Sequence, residues 1–121
     1  MDVKQRSLQQ NRYRFGVVVK AYRDRLNGQL KVINETSGAT FPMLTVENVN
    51  FYLKDKIWGL VERVQTPFGE FINEKPLKFK SPAEFEEKME EARSYAAMNW
   101  GLQIPLPNED LDYYEEQLNK Y

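Results

Sequence analysis

Apolar residues near the start of the chain recur at helical spacing. Leu8, Phe15, Val19, Tyr22 and Leu26 fall on one side of a helix running from about Leu8 to about Leu26. Ser7 stands where an N-cap belongs, and Asn27-Gly28 has the composition of a helix stop. Arg12 shares the apolar stripe, where its stem can lie along apolar surface while its head stays wet. Tyr13, Val17 and Ala21 fall on the far side, which leaves two readings open: the helix sits deep in the core, or its second face meets another subunit. The stretch from Gln29 to Pro42 reads as irregular, with a loop at Asn34-Glu35-Thr36-Ser37-Gly38 and a short strand at Lys31-Val32-Ile33. Thr45 then caps a helix from about Val46 to about Ile57, in which Val46, Val49, Leu53 and Ile57 (or Phe51 and Tyr52) give the apolar spacing.

From Leu60 to Gln65 the pattern changes to alternation, as in a strand. Thr66-Pro67-Phe68-Gly69 reads as a turn, with Pro early and Gly late, and Glu70-Phe71-Ile72 returns as a second strand. Leu77-Lys78-Phe79-Lys80 offers a third. Ser81-Pro82-Ala83-Glu84 is the sharpest local signal: Ser caps, Pro takes the first helical position, and Glu completes a capping box. The helix it opens runs to about Asn99, with Phe85, Met89, Ala92 and Ala96 as its buried stripe, Glu86, Glu87, Glu90 and Glu91 largely opposite, and Gly101 as terminator. Ile104-Pro105-Leu106-Pro107 must be extended, because a residue before Pro avoids the helical region. Asn108 caps a last helix, about Glu109 to Asn119. These elements describe an α+β fold in a single domain, 1–121: about four helices with a small antiparallel β-hairpin or three-stranded sheet.

Composition narrows the chemistry. A chain of 121 residues is one domain, and seven Phe, seven Tyr and two Trp can fill one modest core. It holds neither Cys nor His, which removes disulfides, thiolate nucleophiles, Ser-His-Asp and Cys-His catalysis, and the common zinc sites. Carboxylate, Lys, Tyr and Ser chemistry remains. Two-metal nucleases need several acids converging beside a Lys. Glu70 and Glu74 with Lys75 match no such spacing, and the six glycines form no phosphate loop. The expectation is a protein that binds rather than catalyses, without metal or cofactor, with a carboxylate-dependent nuclease as a further reading left open. No apolar run reaches the length of a membrane span, and Met1-Asp2-Val3-Lys4-Gln5 lacks the apolar stretch of a signal peptide, so a cytoplasmic location is expected.

The net charge of −1 conceals a gradient. Residues 1–31 carry eight bases and two acids, residues 32–80 six of each, and residues 81–121 three bases and ten acids. Such asymmetry favours a polyanion partner or a self-complementary assembly. The first helix holds Arg6, Gln9, Gln10, Asn11, Arg12, Arg14, Lys20, Arg23 and Arg25, with Tyr13 and Tyr22 interleaved. Bases neutralise phosphates, amides reach phosphates or base edges, and rings stack on unpaired bases, a mixture that suits nucleic acid. The competing reading is a solvated helix surface with an excess of bases, spread around the helix rather than in one stripe. A second candidate patch joins Lys54, Lys56, Trp58 and Arg63 with Lys78 and Lys80; Trp58 either stacks on a base or packs beneath the hairpin. The acidic end (Glu109, Asp110, Asp112, Glu115 and Glu116) either supports its helix macrodipole or docks on a basic partner.

Three blocks of residues carry a family resemblance. Ser7-Leu8-Gln9-Gln10-Asn11-Arg12-Tyr13 leading into Phe15-Gly16-Val17-Val18-Val19 resembles the opening of phage NinB-type recombination proteins and their small phage-encoded relatives. The segment from Leu44 to Lys54 is similar to their second helix, and Ser81 to Phe85 with Ala96-Ala97 and Gly101 to Glu109 to their closing segment. The resemblance implies an α+β, homodimeric protein of the host cytoplasm that binds single-stranded DNA in recombination or replication. A rival expectation is a phage-encoded inhibitor that docks on a host protein through the acidic C-terminal face.

Overall fold

The structure, a computed structural model, describes residues 3–107, with side chains from Leu8 onward. Helix α1 (Val3–Tyr13), a π-helical segment (Arg14–Val19) and α2 (Lys20–Ser37) follow one another with helical backbone angles at both joins. They form one N-terminal helix about 50 Å long. With α3 (Val46–Lys56) and α4 (Pro82–Trp100) the described residues hold three helices, alongside a two-stranded hairpin, β1 (Val61–Thr66) and β2 (Gly69–Glu74). The fold is thus α+β with three helices rather than four. The last expected helix, with its cap Asn108, lies outside the described residues.

The long helix departs from expectation at both ends. Ser7 lies inside α1 rather than capping it. Asn27-Gly28 does not stop the helix, and Lys31-Val32-Ile33 is helical, not a strand. The stop is Gly38, whose φ of 76° is the left-handed C-cap conformation glycine adopts freely. Asn27 instead spends its amide across space: Oδ1 accepts from Leu44 N at 2.7 Å and Nδ2 donates to Leu44 O at 3.2 Å. Asn34 likewise clasps Phe41, so the 38–45 loop folds back along α2. The π turns explain a second departure. Each i→i+5 turn sets later residues back relative to an α-helical wheel. Leu8 and Phe15 are consequently exposed, while Tyr13, Val17, Val18, Val19 and Tyr22 are buried. Tyr13 and Val17 are therefore covered within the chain, and Ala21 packs against the same core.

Elements with explicit caps match their sequence signals. Thr45 accepts from Asn48 N and Asn48 returns a bond to Thr45 N, a complete capping box on α3. Val49 and Leu53 are buried, whereas Val46 stays exposed. Ser81 caps α4 through Glu84 N, but the Glu84 carboxylate takes the Lys80 amide instead of returning to Ser81. Phe85, Met89, Ala92 and Ala96 are all buried, and Gly101 closes the helix with φ 63°. The hairpin pairs Val61 with Glu74 through to Thr66 with Gly69. Leu77–Lys80 adds no third strand; Leu77 and Phe79 pack on the core instead, with the Phe79 and Phe85 ring centroids 5.0 Å apart.

The π segment and α2 occupy the centre, with α3 and α4 packed against them. Tyr22 is the hub: its hydroxyl donates to Ala92 O at 2.7 Å, and the rings of Tyr52, Tyr95 and Trp100 surround it. Every residue of β2 is exposed, so the hairpin stands off this core, tied by Lys54–Glu74 and by Arg63–Asp55. No helix among the described residues is long and apolar enough to cross a membrane.

Candidate functional site

The candidate residues separate into side chains spent inside the fold and side chains offered to solvent. Tyr13 is 4% exposed; its hydroxyl donates to Pro105 O at 2.7 Å and accepts from Arg93 Nη1 at 2.8 Å. Trp58 is 5% exposed and donates its indole N–H to Lys88 O at 2.9 Å, so it packs beneath α4. Neither ring presents a face for a base. Lys54 is buried and pairs with Glu74 at 3.0 Å, while Arg63 grips Asp55 through both terminal nitrogens, at 2.8 and 2.9 Å. That hydrogen-bonded guanidinium holds the Asp55 carboxyl below its ordinary pKa. Of the second patch, Lys56, Lys78 and Lys80 remain exposed without an ion-pair partner among the described residues. Pairing of Lys54 and Arg63 and burial of Trp58 thus leave three lysines of the six expected residues offered to solvent.

The long helix retains more of its charge at the surface. From residue 3 to residue 37 it carries eight bases and two acids. The Arg6 side chain lies outside the described ones. Gln9 and Gln10 are half-buried, and Asn11, Arg12, Arg23, Arg25 and Lys31 are exposed. Lys20 pairs with Asp24 at 2.7 Å, an exposed i,i+4 contact of small energetic weight. Arg23 is exposed and donates from Nε to Leu44 O at 3.2 Å. Lys20, Arg23 and Lys31 share a helical face with Asn27, whereas Arg25 projects from another. The bases thus form two rows rather than one stripe.

Two of the described arginines are buried, and their surroundings differ in charge. Arg93, 6% exposed, meets carboxylates of Glu86 and Glu90 together with the Tyr13 hydroxyl. Burial opposes its charge, but bonds to Glu90, Tyr13 and Glu86 outweigh this and raise its pKa above the ordinary arginine value. Arg14, 8% exposed, has no carboxylate within ion-pair range among the described residues. Its Nη2 donates to Asn50 Oδ1 at 2.7 Å, and its guanidinium carbon lies 4.7 Å from the Phe15 ring centroid and 5.6 Å from that of Trp58. Burial pulls its pKa down. Asn50 is the partner that sequence reasoning missed. Only the i,i+4 relation of Asn50 to Lys54 placed it near the basic positions, and nothing local linked it to Arg14.

Other arrangements carry less. A cleft of about 510 Å³ lies between α4 and the 103–106 segment, but its charged lining is Glu90 and Arg93, already bonded to each other. No group of three or more acids among the described residues stands close enough to hold a metal ion. Comparison of the chain with protein-family models, with curated proteins and with solved structures found no match in any of the three.

Proposed function

We propose that this chain is a non-catalytic DNA-binding protein, of the phage NinB type, that holds single-stranded DNA during recombination or replication. The observation that carries the reading is the long helix. Its middle is locked into the core, and Arg12, Lys20, Arg23, Arg25 and Lys31 stand at or near the surface over twenty residues, about 28 Å of helix. Rigidly mounted bases at that spacing can neutralise successive phosphates along a strand, displacing counterions without reading sequence.

Buried Tyr13 and Trp58 are not available for stacking, so backbone charge dominates this mode of binding. A homodimer would set two such helices on one strand. Exposed Val32, Ile33, Phe41 and Met43, on α2 and the loop folded against it, form an apolar surface that a second copy would cover. Light scattering over a concentration series tests this: a dimer mass is expected, and a monomer throughout contradicts it. The DNA reading is tested by titrating labelled single strands at two salt concentrations.

The hairpin favours a second reading, a partner protein of the host. Phe68, Phe71 and Ile72 are exposed on an element that scarcely touches the core, a geometry suited to protein contact. The acidic face proposed for such docking, residues 109–116, lies outside the described residues. Absence of DNA binding at low salt would leave this second reading as the stronger.

A further inference from the structure

Arg14 is a buried cation without a buried anion. Its Nε is sealed from solvent and has no hydrogen-bond partner, Nη2 is taken by Asn50, and Nη1 has no acceptor among the described residues. Charges withdrawn from water are ordinarily paired, as Arg93 is. The rings of Phe15 and Trp58 offset part of the deficit through their negative faces, but they carry no net charge.

Asn50 sharpens this. A guanidinium has donors only, so the amide must turn its oxygen toward Arg14. Its Nδ2 then points elsewhere, and it too has no acceptor among the described residues. Arg14 Nε is the sole sealed and unpartnered side-chain atom among those described, so Arg14 Nη1 and Asn50 Nδ2 each keep some contact with solvent. Two unspent donors on hydrogen-bonded neighbours, one of them charged and without a carboxylate in ion-pair range, suit an oxyanion. Arg14 opens the π segment, which packs against α3, and such turns recur at functional positions.

We propose that Arg14 and Asn50 form a phosphate-oxyanion site at the junction of the π segment and α3, with Arg14 supplying the charge and Asn50 Nδ2 a second donor. The inference deepens the nucleic-acid reading and rests on it only for the phosphate's source, a phosphodiester rather than free phosphate.

The test is the thermal midpoint of the full chain as sodium phosphate replaces sodium chloride at constant ionic strength. It is run on the unmodified protein, on Asn50→Asp and on Asn50→Ala. The unmodified protein is expected to gain about 4 °C per tenfold rise in phosphate near saturation. Asn50→Asp supplies the missing counter-charge internally, so its midpoint without phosphate should be higher and its phosphate response lost. Asn50→Ala should respond more weakly than the unmodified protein. General exclusion of phosphate from protein surfaces would raise all three alike. Equal responses, or none in the unmodified protein, would overturn the site.

A short labelled oligothymidylate separates the two readings. Equal binding by the unmodified protein and Asn50→Asp removes the site and leaves the nucleic-acid reading standing. A phosphate response without oligonucleotide binding at low salt keeps the site, with free phosphate as its ligand, and removes the nucleic-acid reading.

Discussion

Tyr22 concentrates much of the core's polarity in one hydroxyl. Fully buried, it donates to Ala92 O and touches Tyr52, Tyr95 and Trp100. Removing the hydroxyl in Tyr22→Phe keeps the ring and is expected to cost about 1 kcal/mol in urea unfolding. Burial pushes the Tyr52 phenol up to about 12, helped by its bond with Tyr95, and moves Tyr22 further in the same direction. The folded state thus favours the neutral phenols. Their contribution is full below the ordinary value of 10.0 and declines as pH rises through the folded values. Thermal stability is expected to hold up to about pH 10 and fall above it, with tyrosinate absorbance appearing alongside unfolding. Loss of stability well below pH 10 without tyrosinate would contradict this. At this scale the sequence was legible where packing follows spacing, as with Phe85, Met89, Ala92 and Ala96. It was illegible for Tyr13 and Trp58, since a ring beside bases reads alike whether it stacks on a ligand or fills a core.

The elements were readable where their ends carry explicit chemistry. The Thr45 and Ser81 caps and the Pro67-Phe68 turn formed where their residues indicated, while Glu84 closed no box on Ser81. Asn27-Gly28 misled because the same two residues that stop one helix can lie inside another. A glycine within a helix costs about 1 kcal/mol relative to Ala, which tertiary contacts can override. Here Asn27 earns its place through Leu44. Asn27→Ala should lose both of those bonds, at about 1–3 kcal/mol, and speed amide exchange over residues 38–45 while leaving α4 unchanged. If that loop exchanges as before, Asn27 is not what holds it. Gly38→Ala should cost about 1 kcal/mol, because alanine meets strain at φ 76° and not a clash. The π segment was invisible in the sequence, because any apolar run such as Val17-Val18-Val19 fits an α-helical register equally well.

Across the whole molecule, the basic beginning of the chain is one rigid rod, and the described acids of α4 are partly used internally, on Arg93. Lys54 and Arg63 are neutralised by Glu74 and Asp55, so outside the long helix the exposed unpaired bases of the second patch are Lys56, Lys78 and Lys80. Substituting Arg23, Arg25 and Lys31 together by alanine should leave the fold intact and lower the salt slope of single-strand binding by about 2, at about 0.7 per phosphate contact. The direct measurement is a fluorescence anisotropy titration of the unmodified protein with a labelled single-stranded oligonucleotide, at about 50 and 200 mM salt. Five bases in contact with phosphates predict a slope of about −3.5 in the logarithm of affinity against that of salt, a loss of roughly 100-fold between those concentrations. No binding at the lower salt, or binding indifferent to salt, would contradict the account.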